Sequence, residues 1–123
     1  MTEQWLIIWN EKQYNYKKLL EDINNGLHNG FISQQYRKIQ KNLPKIDDIV
    51  YIKVKGCIIA KSIVINIKLL NNPIDKYDID NTNMKSSEFC VIQIIKIYNT
   101  PIKTKRNTCM TNWTHLNHNE FEF

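Results

Sequence analysis

Apolar and polar residues alternate differently before and after residue 48, and this change predicts the order of the elements. The continuous apolar run Trp5–Trp9 is typical of a buried strand. Between residues 16 and 27 the apolar positions recur at the spacing of one helix face. Asn15 can cap the start of this helix, and Asn24-Asn25-Gly26 can end it. A second, weaker helical turn is expected to begin at Ser33.

The second half of the chain favours strands. Ile49–Val54 is rich in β-branched and aromatic residues, Cys57–Leu70 is a long strand or a strand with a bulge, and Glu88–Tyr98 is a further strand. Asn99-Thr100-Pro101 predicts a turn, and the tail ending in Phe121-Glu122-Phe123 predicts an edge strand. The first strand must then pair with partners more than forty positions away. We expect one α+β domain over residues 1–123, a small, curved, antiparallel-rich β-barrel with flanking helices.

Composition narrows the class of protein. The 123 residues are 42% hydrophobic and 24% charged, which excludes collagen-like and wholly disordered chains. The longest near-apolar run, residues 56–70, is interrupted by Lys61, Asn66 and Lys68, so we expect no membrane span. The first eight residues lack a basic signal region, which predicts an intracellular protein, cytoplasmic or nuclear. The abundance of Ile, Asn and Lys indicates an AT-rich genome, such as that of a large DNA virus or a parasite.

Charge favours a polyanionic partner, whereas the reactive residues give little support for an enzyme. The formal net charge is +5, although the coding bias inflates the number of lysines. The three cysteines are an odd number, and we expect them to be reduced thiols rather than a disulfide framework. Cys109, His115 and His118 could bind zinc, but their spacing matches no strong pattern and a fourth ligand is missing. We therefore expect no catalytic residues, no metal and no cofactor.

Aromatic residues beside cations point to nucleic acid. Tyr36 precedes Arg37-Lys38, and Trp113 follows the basic stretch 103–106. Stacking of an unpaired base on an aromatic ring contributes roughly 1–3 kcal/mol, and neighbouring cations can hold the flanking phosphates. Burial in the core is the simpler expectation for Trp5, Tyr16 and Tyr51. For Trp9, Tyr36 and Trp113, core packing and ligand binding both remain open.

Several strings resemble EVE-like domains of the PUA/ASCH/YTH-like superfold, including those found beside restriction endonucleases. Residues 9–16, Trp-Asn-Glu-Lys-Gln-Tyr-Asn-Tyr, resemble the W-N-P-x-x-W-x-W opening of the family. Residues 46–51 resemble its I-x-x-G-D-x-V-Y/F strand entry, residues 56–62 its K-G-I-V-A-x-G string, and residues 89–94 its Y-V-D-I-x-F strand. Residues 112–123 resemble its closing W-x-x-x-x-S-G-I-x-I. The chain departs from the pattern where Glu11 replaces proline, Tyr14 and Tyr16 replace tryptophans, and Asp47 replaces the turn glycine.

The resemblance implies a non-enzymatic reader that takes a modified or flipped base of DNA or RNA into an aromatic pocket with a basic rim. Counting back from Asp47 places Tyr36 at the family's cage aromatic. The expected base pocket is Trp9, Asn10, Tyr36 and Trp113. The expected phosphate rim is Lys12, Arg37, Lys38, Lys103, Lys105 and Arg106. The alternatives are a virus- or parasite-encoded module that keeps the fold but binds a protein partner, and a small hydrolase or metal-dependent enzyme.

Overall fold

The secondary structure is one helix and six strands within the part of the chain that can be described. The computed structural model describes residues 2–35, 42–71, 75–79, 87–105, 113–117 and 120–121. In chain order the elements are β1 (Gln4–Ile8), α1 (Tyr16–Asn24), β2 (Phe31–Gln35), β3 (Ile49–Val54), β4 (Cys57–Leu70), β5 (Ser87–Lys103) and β6 (Thr114–His115). None of the helical residues among them forms a segment long and apolar enough to cross a membrane.

The six strands form a single mixed sheet in the order β2-β5-β4-β3-β1-β6. β1 runs parallel to β3, with Gln4 opposite Ile49, and the other neighbours are antiparallel. The pairing of β1 across more than forty positions is confirmed. The outer strands β2 and β6 do not pair with each other in the described residues, so the sheet is open. The α+β class is confirmed, but closure into a barrel is not shown.

The helix α1 forms where the apolar spacing predicts it. The side-chain oxygen of Asn15 accepts a hydrogen bond from the Lys18 amide at 3.4 Å, which caps the first turn. Leu19 is fully buried, and the apolar face of the helix packs on the sheet. The helix ends at Asn24, earlier than the apolar spacing suggests, and Leu27 is left 72% exposed.

Two local predictions are wrong because strand pairing overrides local preference. Ser33 belongs to β2, where it pairs with Val91 of β5, rather than to a helical turn. Asn99-Thr100-Pro101 does not end a strand, because β5 continues to Lys103. The residues between Ile97 and Ile102 face only one residue of β4, Ile59. The turn-forming residues therefore make a bulge inside a long strand.

Apolar residues pack on both faces of the sheet. Strand residues alternate between faces, so Trp5, Ile7 and Trp9 join the cluster under α1. Leu6 and Tyr51 join a second cluster on the other face. Trp5 is 3% and Tyr51 1% exposed, which confirms both as core residues. Tyr16 is partly buried and packs against the cluster under α1.

Two of the three cysteines lie in the described residues. Cys90 is buried, Cys57 is partly buried, and both are free thiols. This agrees with the expected reduced state of these two residues. Cys109 lies outside the described residues.

Candidate nucleic-acid interface

The two tryptophans predicted as pocket walls lie in the core. Trp9 is 7% exposed and Trp113 is 4% exposed, and both belong to the cluster under α1. The indole N–H of Trp9 donates to the side-chain oxygen of Gln34 at 3.3 Å, and its ring lies 4.8 Å from the ring of Tyr14. Neither indole therefore presents an open face to a ligand. Tyr36, the third predicted wall, lies outside the described residues.

Asn10, the predicted base-edge reader, organises the connection between β1 and α1. Its backbone carbonyl accepts hydrogen bonds from the amides of Gln13 and Tyr14, both at 2.9 Å. Its side-chain oxygen accepts from the Lys12 amide at 3.0 Å. The oxygen of Asn10 is thus used by the turn, and the same turn brings residues 11–17 around a concavity.

This concavity is a pocket of about 280 Å³ at the carboxyl end of β1. We call it the turn pocket. Its walls combine two aromatic rings, two ammonium groups, one amide and one carboxylate. The lining residues are Glu11, Lys12, Tyr14, Asn15, Tyr16 and Lys17. Of these, only Lys12 was expected at the site from the sequence.

Hydrogen bonds from two tyrosines to carboxylates fix residues beside the turn pocket. The Tyr14 hydroxyl donates to Asp75 at 2.8 Å, and the Tyr77 hydroxyl donates to Asp22 at 2.7 Å. The Asn15 amide donates to the Tyr77 carbonyl at 2.7 Å, which ties residues 75–79 to the start of α1. Burial, together with the neighbouring carboxylates, raises the pKa of Tyr14 well above its usual value and that of Tyr77 to about 12. Both phenols are therefore neutral, and the Tyr14 ring is fixed as a wall.

Lysines from three strand ends lie at the same end of the sheet as the turn pocket. β1 and β3 are parallel, and β5 is antiparallel to β4, which is antiparallel to β3. The carboxyl ends of β1, β3 and β5 therefore point the same way. We call the lysines at this end of the molecule the basic end. They are Lys12 after β1, Lys17 in the first turn of α1, Lys55 after β3, and Lys103 and Lys105 at the end of β5.

The β3–β4 turn connects the basic end to the turn pocket. Lys55 and Gly56 form the turn, with φ angles of 51° and 79°. The Lys55 ammonium lies 2.8 Å from Oε1 of Glu11, which raises the pKa of Lys55 and lowers that of Glu11. The Gly56 carbonyl accepts a hydrogen bond from the Thr104 amide at 3.1 Å. The segment with Lys103 and Lys105 is thereby held beside the turn.

Two of the pocket lysines have no carboxylate partner among the described residues. Lys18, on the next position of α1, pairs with Glu21 and Asp22, but no carboxylate of a described residue lies within salt-bridge distance of Lys12 or Lys17. The first turn of α1 carries no acidic residue. Lysines at the amino end of a helix oppose its dipole, which costs a few tenths of a kcal/mol.

The structure thus brings together part of the predicted rim. Lys12, Lys103 and Lys105 lie at the basic end. Arg37, Lys38 and Arg106 lie outside the described residues. Lys17 and Lys55 were not among the rim residues expected from the sequence. The close spacing of Tyr14 and Tyr16 was the available signal for the aromatic walls.

Of the three candidate zinc ligands, only His115 lies in the described residues, and its ring pairs with a carboxylate. His115 lies in β6, and its Nε2 is 2.9 Å from Oε2 of Glu3. Its ring also contacts Trp5, with a centroid distance of 4.9 Å. Cys109 and His118 lie outside the described residues.

In comparisons with known proteins, no family model, no curated protein and no solved structure matches this chain. The functional interpretation therefore depends on its own residues and geometry.

Proposed function

We propose that this protein is an EVE-like reader module that binds nucleic acid through the basic end and receives one unstacked base, modified or flipped, in the turn pocket. The observation that carries the proposal is the turn pocket itself, where two tyrosine rings stand beside lysines that have no carboxylate partner among the described residues. The cage of Trp9, Tyr36 and Trp113 implied by the family resemblance is replaced in this proposal by Tyr14 and Tyr16.

The size of the turn pocket suits a single base. Its volume of about 280 Å³ is at the small end of ligand sites, which run from about 300 to 1,000 Å³. A base that stacks on a tyrosine ring gains roughly 1–3 kcal/mol, and the ring of Tyr14 is already held by Asp75 and by Trp9. Little ordering is then required when the base binds.

The charges around the turn pocket suit the flanking backbone. Lys12 and Lys17 line the pocket, and Lys55, Lys103 and Lys105 extend the positive surface along the end of the sheet. A strand with one base in the pocket would place its neighbouring phosphates over these lysines. Single-stranded DNA or RNA satisfies this geometry without the cost of unpairing a duplex.

The salt dependence of binding tests the role of the basic end. Affinity for a labelled single-stranded oligonucleotide, measured by fluorescence anisotropy, should fall with salt at a slope of about −0.7 per neutralised phosphate. Lys12→Gln and Lys17→Gln should each weaken binding and make the slope shallower. The matched control is Lys45→Gln, an exposed lysine that precedes β3 and so lies at the opposite end of the sheet. Equal effects of all three substitutions would contradict the proposed site.

An aromatic substitution tests the pocket separately from the charge. Tyr16→Leu keeps an apolar side chain against the core but removes the stacking surface, so affinity should fall by about fivefold or more. Phe31→Leu makes the same kind of change at a side chain that is 45% exposed on β2, outside the pocket, and should leave affinity unchanged. Titrations with methylated and unmethylated oligonucleotides of one sequence then show whether the base must be modified.

A protein partner is the second candidate function, and exposed apolar residues on β2 and β5 favour it. Phe31 is 45% exposed, and Ile95 is 51% exposed two residues along β5 from the partner of Phe31, Gln93. If this surface carries the function, a pull-down should survive nuclease treatment, and Phe31→Ser should abolish it. Under the nucleic-acid proposal the same substitution leaves oligonucleotide binding intact.

A further inference from the structure

Glu11 is the one carboxylate among the six lining residues of the turn pocket, all of which are described. An acid is unexpected in a surface that receives phosphates, because it repels them. Glu11 nevertheless lines the pocket together with Lys12 and Lys17, so we consider a task for it other than holding the backbone.

The Glu11 side chain is held by one of its two oxygens, and the other has no donor among the described residues. Oε1 lies 2.8 Å from the ammonium of Lys55, whereas the contacts among the described residues give Oε2 no donor. The Lys55 charge offsets the repulsion that the carboxylate would exert on nearby phosphates. The hydrogen bond from Lys55, with weaker contributions from Lys17 and Lys12, also lowers the pKa of Glu11, so the group is an ionised acceptor at neutral pH.

An ionised carboxylate only accepts hydrogen bonds, so it distinguishes bases by their donors. Adenine and cytosine each present an exocyclic amino group, whereas thymine and uracil present a carbonyl oxygen at the corresponding position. Asn15 can supply a second hydrogen bond to the base. Its side-chain oxygen caps α1, so the NH₂ group of the same side chain can donate to a ring nitrogen. A thymine in the same place would set a carbonyl against a carboxylate.

We propose that Glu11 is a specificity-determining residue that makes the turn pocket prefer bases carrying an exocyclic amino group over thymine or uracil. This inference rests on the proposed binding of a base in that pocket. Glu11 accepts the amino hydrogen through Oε2 while Lys55 holds Oε1.

The test compares base preference rather than affinity alone. Anisotropy titrations use labelled single-stranded homopolymers of adenine, cytosine and thymine of equal length. The unsubstituted protein should bind the adenine or cytosine probe about tenfold more tightly than the thymine probe. Glu11→Gln removes a negative charge and frees Lys55, so it should bind all three probes more tightly but lose most of the preference.

Glu21→Gln is the matched control. Glu21 is on α1, its side chain is 61% exposed, and it pairs with Lys18 at 3.5 Å outside the turn pocket. The substitution removes the same charge, so any gain in affinity should be equal for the three probes and the preference should persist. RNA homopolymers of cytosine and uracil, and competition by free cytidine and thymidine monophosphates, show whether DNA, RNA or a free nucleotide is the better ligand.

The possible failures are distinguishable. If the probes bind with equal affinity, or if Glu11→Gln keeps the preference, the inference is overturned and the proposed function stands. If none of the probes binds, the proposed function fails and the inference fails with it. Should Glu11→Gln not fold, as judged by circular dichroism, the monophosphate competition with the unsubstituted protein decides, and equal competition overturns the inference.

Discussion

The two ends of β1 each place a tryptophan in the same core cluster, but the polar groups around the two tryptophans differ in burial and pairing. At the amino end, the indole N–H of Trp5 donates to Oδ2 of Asp48 at 3.0 Å. At the carboxyl end, the indole N–H of Trp9 donates to Gln34 at 3.3 Å, beside lysines that lack carboxylate partners in the described residues. We call the amino end, which is held by buried hydrogen bonds to a carboxylate, the closed end, and the carboxyl end, which has exposed lysines beside the turn pocket, the open end.

Asp48 accounts for the closed end. It is 5% exposed, and its carboxylate accepts from the amides of Glu3 and Lys45 at 3.0 and 2.9 Å in addition to the Trp5 indole. These bonds tie the start of β1 to the turn before β3 and set the register of the parallel pair. A buried carboxylate with this many donors is a structural group.

The open end has the opposite balance. Lys12 and Lys17 are exposed, and Glu11 has one oxygen that no described donor contacts. Charged groups without partners beside a pocket contribute little to folding, because water already solvates them. At the closed end buried donors and acceptors hold the scaffold, whereas at the open end exposed charges line the candidate site.

Asp48→Ala should have the largest effect on this comparison. Three donors lose their acceptor, two of them backbone amides, so the free energy of unfolding should fall by roughly 3 kcal/mol or more. Urea denaturation followed by tryptophan fluorescence measures the change. Asp47→Asn, at the exposed neighbouring position, should change stability by less than about 0.5 kcal/mol. A similar loss in both variants would show that Asp48 is not the anchor.

Substitution of each tryptophan by phenylalanine should lower the free energy of unfolding by an intermediate amount. The two variants compare the two ends of β1 directly. Trp5→Phe removes a donor from a buried carboxylate and leaves a void, so we expect a loss of about 2–3 kcal/mol. Trp9→Phe removes a longer bond to Gln34, which is only partly buried and can bind water instead, so we expect about 1–2 kcal/mol. Denaturation of the two variants under the same conditions checks the order, and a larger loss for Trp9→Phe would reverse the comparison.

Glycine substitution at the two non-glycine residues that have positive φ among the described residues should have the smallest effect. Asp47 has φ of 77° and Lys55 has φ of 51°, a region that favours glycine. Asp47→Gly relieves this strain but adds freedom to the unfolded chain, so a gain of at most about 0.5 kcal/mol is expected. Lys55→Gly also removes the ion pair with Glu11 and should gain less. Thermal denaturation measures both; a greater gain at Lys55 would mean that this ion pair contributes nothing.

Local patterns in the chain predicted the individual elements well. The continuous apolar run that includes Trp5, Leu6 and Ile7 predicted a buried strand, and its residues pack on both faces of the sheet. The Asn15 cap and the apolar spacing after it predicted where α1 begins. These features depend on near neighbours in the chain, so they can be read from it.

Predictions that required distant partners were incomplete. Ser33 was assigned to a helical turn because its strand character depends on pairing with Val91. Trp9 was placed at a pocket wall because its burial depends on the helix and strands that cover it. The ion pair between Lys55 and Glu11 was missed for a related reason, since the parallel pairing of β1 and β3 brings these two residues together.

The sequence by itself determined the period of each segment, the caps, and the excess of lysine over acid, because these follow from the residues present and their neighbours. Tertiary structure decided the strand order, the burial of Trp9 and Trp113, and the gathering of lysines from three strand ends. Those outcomes depend on which apolar faces exclude water together, and contacts between residues far apart in the chain set that choice.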